Sequence, residues 1–218
     1  DRLRLLIVAP PNSAKSTYVS LIWPTYFMAK YPDLCSIMLA ESFGQVEKWG
    51  LQIKEMFEGQ TEWGKRLHKV FPETEINRAG WTKEKLYLAN RSKPVPYPNL
   101  FMAGMGSTVI QGSRADLIVL DDITGPDKAR SATELQKQRD DLHNVVMKRL
   151  NPDGRVIVIC TRWGSEDMAP TFIKDLNFEV LHMPALVEDE PNGAYIDYIP
   201  SSSYLRYPGP DDVVEYPQ

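Results

Sequence analysis

No stretch of this sequence approaches the roughly 20 consecutive apolar residues that a membrane-spanning helix needs. The chain opens as Asp1-Arg2-Leu3-Arg4 and moves straight into an apolar run, so no secretory leader is expected. Cysteine is scarce: Cys35 and Cys160 each sit in an apolar run, which suits buried packing residues in a reducing, intracellular compartment. The three histidines, His68, His143 and His182, are too scattered for a metal site, and no Ser-His-Asp or Cys-His order is present. Internal repeats are absent. So is a strong charge of one sign: the formal net charge is −4, which argues against a simple basic sheath for nucleic acid. Residues 187–218 hold seven acids against Arg206 alone, leaving 24 bases and 22 acids in residues 1–186. Nucleic-acid contact would therefore come from local patches rather than from the whole field.

What is present is the composition of a globular domain, 43% hydrophobic and 25% charged residues, with a length that suits one large α/β domain and a small appendage. Short apolar runs at Arg4–Ala9, Leu34–Ala40, Lys85–Ala89, Asn99–Met105, Leu117–Leu120, Arg155–Thr161 and Phe178–Met183 read as strands. Helical patterns follow from Ala14 (with Pro24 expected to end or kink the helix), over Phe43–Phe57 and over Ala132–Leu150. Residues 61–83 show no clear period, and Asn151-Pro152-Asp153-Gly154 reads as a turn. Strands alternating with helices predict a mostly parallel sheet covered on both faces. Residues 1–186 are taken as the domain and the proline-rich 187–218 as a lid or linker.

Three segments carry chemistry. The phosphate-loop pattern places glycines, then lysine and a hydroxyl, between a strand and a helix. Here Ala9-Pro10-Pro11-Asn12-Ser13-Ala14-Lys15-Ser16-Thr17 has alanine at both glycine positions. Backbone N–H groups at a helix N-terminus can still cradle phosphate, with Lys15 neutralising the outer phosphates of ATP and Ser16 ligating Mg²⁺. Ala14 is awkward, because glycine normally stands where backbone approaches phosphate. The second segment, Leu117–Leu120 followed by Asp121-Asp122, places two carboxylates at the C-terminal tip of a buried strand, where ligands bind in open α/β folds. Asp121 would hold the metal shell and Asp122 would orient and deprotonate water. In the third, the strand ending at Cys160 leads to Thr161, suited to sensing the terminal phosphate, and to Arg162, suited to relaying that state. Each also has a bland reading: a surface lysine, an acidic turn, an ordinary strand end.

Together these blocks resemble the ATPase domain of bacteriophage terminase large subunits, the motors that package DNA into proheads. The likeness rests on Ala9–Thr17, on Gln111-Gly112-Ser113-Arg114-Ala115-Asp116-Leu117 running into Asp121-Asp122, and on Lys148–Gly154 followed by Thr161-Arg162-Trp163-Gly164-Ser165-Glu166-Asp167, with a weaker match at Leu39–Gln45. It covers most of residues 3–186. The resemblance implies a P-loop NTPase fold of the ASCE or RecA-like kind, ATP and Mg²⁺ as cofactors, and a lid leading to a nuclease domain beyond this segment. It also implies double-stranded DNA, a portal protein, a small terminase subunit and further copies in a pentameric ring as partners. The implied location is the host cytoplasm and, transiently, the prohead, with no membrane.

Pro11 stands where many members carry a loop arginine, Ala14 replaces a glycine, and Asp122 is one methylene shorter than the usual glutamate. Ring ATPases often supply an arginine in trans; Arg114 is the first candidate and Arg139 the second. On a helix, Arg139 falls on the side of Leu135, Leu142 and Val146, where a charge implies a partner. Lys65–Lys69 and Lys83–Lys93, with Trp63, Trp81 and Tyr87 nearby, are candidate phosphate-contacting patches. Two other functions fit parts of the pattern: a helicase or other nucleic-acid-dependent ATPase, and a non-hydrolysing scaffold with a decayed loop.

Overall fold

A computed structural model describes residues 3–164 and 167–183 of the chain. The expected lid or linker at 187–218 lies outside these described residues. Among them, no helix is long and apolar enough to cross a membrane.

The elements follow the apolar runs closely: β1 Arg4–Val8, α1 Trp23–Lys30, β2 Ser36–Ala40, α2 Phe43–Phe57, α3 Glu62–Val70, β3 Lys85–Leu86, β4 Leu100–Gly104, β5 Ala115–Asp121, α4 Pro126–Ala129, α5 Ala132–Asp141, β6 Leu150–Cys160 and β7 Glu179–His182. The strands form one seven-stranded sheet in the order β3-β4-β2-β5-β6-β1-β7. Every pairing is parallel except that of β3 with β4.

Successive strand residues point to opposite faces, and two cores result. Ile118, Leu120, Val156 and Val158 pack on one face with Leu135 and Leu142 of the α5 segment and with Phe172. Leu117, Val119, Ile157 and Ile159 pack on the other with Phe27 of α1 and Ile53 of α2. A stretch buried on both faces must be apolar, which is why Ile37–Ala40 of β2 and Leu117–Leu120 of β5 read as unbroken hydrophobic runs.

Four expectations need correction. Residues 61–83 contain α3, capped by Thr61 Oγ1 accepting from the Gly64 amide; Trp63, Leu67 and Val70 recur at helical spacing, a short period hidden when the mixed segment is read as a whole. The helix expected over Ala132–Leu150 is regular only to Asp141, then passes through a π-helical turn, Leu142–Val146, and a 3₁₀ turn, Met147–Arg149. Asn151–Gly154 lies inside β6 as an irregularity: Ala115 pairs with Leu150 but Leu117 with Arg155. The extra residues are held by Asn151 Nδ2 donating to Asp116 Oδ1 at 2.7 Å, so turn chemistry is used within a strand. Finally, Pro24 does not end its helix. The preceding segment, Thr17–Ile22, is π-helical, and the Trp23 amide reaches back to the Tyr18 carbonyl before α1 begins. Proline cannot donate to the carbonyl four residues back, and the widened turn steps the ladder past it.

Candidate active site

Because β1, β6 and β5 run parallel, their C-terminal tips share one sheet edge. Val8 pairs with Cys160, and Ile159 with Asp121, so the loop after β1, Thr161 and the acid pair converge there. The strand carrying Thr161 is inserted between the strand of the loop and the strand of the acids, separating those two by about 10 Å at ordinary strand spacing.

That gap is bridged by side chains. Lys15 Nζ donates to Thr161 Oγ1 at 2.9 Å and pairs with Asp122 Oδ2 at 3.2 Å. Asp122 Oδ1 accepts the Thr161 amide at 2.7 Å, and its own amide donates to the Ile159 carbonyl. Its φ of 43° turns the chain sharply as β5 ends, which swings the carboxylate across β6 toward Lys15. Ser16 Oγ donates to Asp121 Oδ1 at 2.9 Å. Buried Ser20 donates to the second oxygen, Oδ2, at 2.7 Å. Sequence reading passed over Ser20, since a serine inside a helix carries no signal until its partner is known.

Asp121 is 5% exposed. Burial pushes its carboxyl above the ordinary range; the hydroxyls of Ser20 and Ser16 oppose this, neighbouring Asp122 adds to it, and Lys15 offsets it.

The loop itself is strained where glycine would be expected. Asn12 and Ala14 hold φ values of 61° and 60°. The Ala14 carbonyl accepts the Tyr18 amide at 3.1 Å, so a helix opens directly after the loop. Ser13 Oγ is buried without a hydrogen-bond partner. Pro10 is half-buried, while Pro11 and Thr17 are exposed. A helix opening at the end of the loop, an orphaned hydroxyl, a lysine and a hydroxyl–carboxylate pair fit a phosphate chain with a divalent cation.

The other predicted residues lie apart. Arg114 precedes β5 at the opposite end of the sheet, about 20 Å from the acid pair by strand rise. Its Nη1 donates to the Lys148 carbonyl at 2.8 Å, closing the helical stretch before β6. The α5 face expected to meet a partner through Arg139 meets its own chain: Leu135, Leu142 and Val146 are core, and Arg139 Nε donates to Thr171 Oγ1 at 3.1 Å. Arg162 pairs with buried Asp167 at 2.8 Å, and Asp167 also accepts the amides of Trp163 and Ala169, fixing the backbone after Thr161. Of the aromatic-basic patches, Trp63 is exposed beneath the Arg66 guanidinium, whereas Trp81 is half-buried and donates to the Tyr87 carbonyl. Both cysteines are free, and no cluster of metal-binding side chains involving the histidines occurs among the described residues.

No protein-family model and no curated protein matches the chain. Solved structures do. The large terminase of a thermophilic bacteriophage superposes with a TM-score of 0.50 at 11% identity, over 84% of this chain and 40% of that one. A mutant ATPase domain of the Thermus phage P74-26 large terminase gives 0.52 at 17% identity, over 84% and 77%. The chain thus spans well under half the length of the first of these two proteins. Its mostly parallel α/β sheet is the fold of phage large-terminase ATPase domains.

Proposed function

We propose that this chain is the ATP-hydrolysing motor domain of a viral terminase large subunit, driving double-stranded DNA into a prohead. The observation that carries the catalytic reading is the linked set Lys15–Thr161–Asp122 and Ser16–Asp121, drawn from three parallel strand tips. A solvated surface lysine would not be held between a threonine and an acid from two other strands. The choice of a packaging motor among ATPases rests on the motif blocks together with the fold.

In this reading the loop amides and Ser13 Oγ bind the phosphates of ATP, and Lys15 exchanges its bond to Asp122 for the outer phosphates. Asp122 is then released to accept a proton from the attacking water, while Thr161, hydrogen-bonded to both partners, reports which arrangement is present. Ser16 and Asp121 would hold Mg²⁺, which when bound neutralises charge on the phosphate oxygens. Arg162, immediately after Thr161, transmits the change through Asp167 to the backbone that follows. Arg114 and Arg139 both have cis partners, and a trans role for either belongs to the assembled ring. The portal protein, the small subunit and a pentameric ring on the prohead, in the host cytoplasm, are the partners and setting of the full-length protein.

Steady-state ATP turnover of the 218-residue chain with Mg²⁺ tests the reading. Lys15→Ala should abolish nucleotide binding. Asp122→Asn should keep binding and lose about 10²–10⁴-fold in turnover, the usual contribution of a general base. Turnover unchanged in both variants would refute it. Prohead packaging by the full-length protein carrying Lys15→Ala then tests the motor role, with no DNA protected from nuclease as the expected result.

A further inference from the structure

We infer that Ser20 is a positioning residue setting the affinity of this site for its divalent cation; the inference rests on the ATPase reading above. Ser20 is 0% exposed, in a helix interior where alanine would pack without a polar atom to satisfy. A buried serine in a helix ordinarily returns its hydroxyl to the carbonyl one turn back. Here the hydroxyl leaves the helix and donates at 2.7 Å to Asp121 Oδ2, from a strand that lies 101 residues further along the chain.

Ser16 holds the other oxygen of the same carboxylate at 2.9 Å. The torsion that rotates an aspartate carboxyl is broad and two-fold. One hydroxyl leaves it free to swing; two hydroxyls on opposite oxygens fix its plane. Ser16 would be the group that also ligates the cation, so its hold on Asp121 changes when the cation binds. Ser20, one turn deeper and sealed from solvent, keeps its bond in both states. Four residues apart on one helical stretch, the two hydroxyls share a face and reach one carboxylate.

Outer groups that orient a metal ligand typically contribute 10–100-fold to metal affinity. The test is binding of a fluorescent ATP analogue to the 218-residue chain, titrated in Mg²⁺ and in EDTA. Ser20→Ala should leave the EDTA affinity within about two-fold and raise the half-saturating Mg²⁺ concentration at least about ten-fold. Ser20→Cys, nearly isosteric with a weak donor, should show the same loss with less change in packing, and Ser20→Thr should recover most of it. Equal weakening with and without Mg²⁺ would make Ser20 a packing residue and overturn the inference. So would an unchanged Mg²⁺ dependence in a folded Ser20→Cys protein. Failure of the wild-type chain to bind nucleotide at all would sink the ATPase reading instead.

Discussion

Replacing Ala14 by glycine should stabilise the nucleotide-free protein. Ala14 sits at φ 60° and is exposed, so the substitution relieves backbone strain without opening a cavity. A left-handed conformation costs an L-residue roughly 1–2 kcal/mol. Glycine returns about 0.4–1 kcal/mol of that through the greater freedom of the unfolded chain. The net gain is therefore about 0.5–1 kcal/mol. At about 2–4 °C per kcal/mol for a chain of this size, Tm should rise by about 1–4 °C. Calorimetry in nucleotide-free buffer measures it directly, and a urea titration should give a higher midpoint with an unchanged slope. Thr17→Gly is the control, since Thr17 is exposed, helical and without a positive φ, and should only lose stability. If both variants lower Tm by similar amounts, the loop does not hold the strain assigned to it. On the ATPase reading proposed above, nucleotide affinity should rise in Ala14→Gly as well, because Ala14 lies in the loop assigned to the phosphates.

Asp121→Asn should raise stability in metal-free buffer at neutral pH while removing Mg²⁺-dependent turnover. Burial raises the folded carboxyl above its unfolded value, so its burial cost is fully present where pH lies above the folded pKa. That cost falls as pH drops through the folded pKa and is gone below the unfolded one; the Tm advantage of the variant should shrink in that order, and a constant offset would contradict it. Gly64→Ala should destabilise by about 1–3 kcal/mol by urea titration, the usual effect of overpacking. Its new Cβ would lie 2.5 Å from the Met56 carbonyl oxygen, a backbone atom that cannot swing aside. Both thiols should resist Ellman's reagent at pH 8 until the chain is denatured. Burial pushes Cys35 up to about 11 and Cys160 up to about 12, with Asp167 and Asp122 adding to the effect at Cys160. Rapid labelling of the native protein would show that either thiol is exposed.

The sheet and most of the candidate set of side chains were legible in the sequence because both depend on residue type along a strand. Unbroken apolar runs marked β2 and β5, and α2 falls at the expected residues Phe43–Phe57. Lys15, Ser16, Asp121, Asp122 and Thr161 meet because parallel strands bring their tips to one edge, which the alternation of strands and helices implied. What stayed hidden depends on partners distant in sequence. Ser20 is an ordinary helical serine until Asp121 is beside it. The charge at Arg139 suggested a foreign partner because Thr171 could not be placed. The Asn151–Gly154 irregularity and the π-helical turns lie in backbone geometry, where one extra residue per turn leaves no mark in hydrophobic periodicity.

The place of β1 in the sheet has a consequence for how the protein comes into being. Both hydrogen-bonding neighbours of this N-terminal strand, β6 and β7, are made last among the described strands. As the chain leaves the ribosome, Arg4–Val8 waits without a sheet partner while β2, β4 and β5 can already zip together. Pairing across so many residues is slow and exposes apolar edges while it is pending. The linked set of side chains at the strand tips is therefore completed only when synthesis has passed Thr161, and a nascent chain stalled before β6 would display the lysine loop with neither the threonine nor the first strand's neighbour in place to hold it.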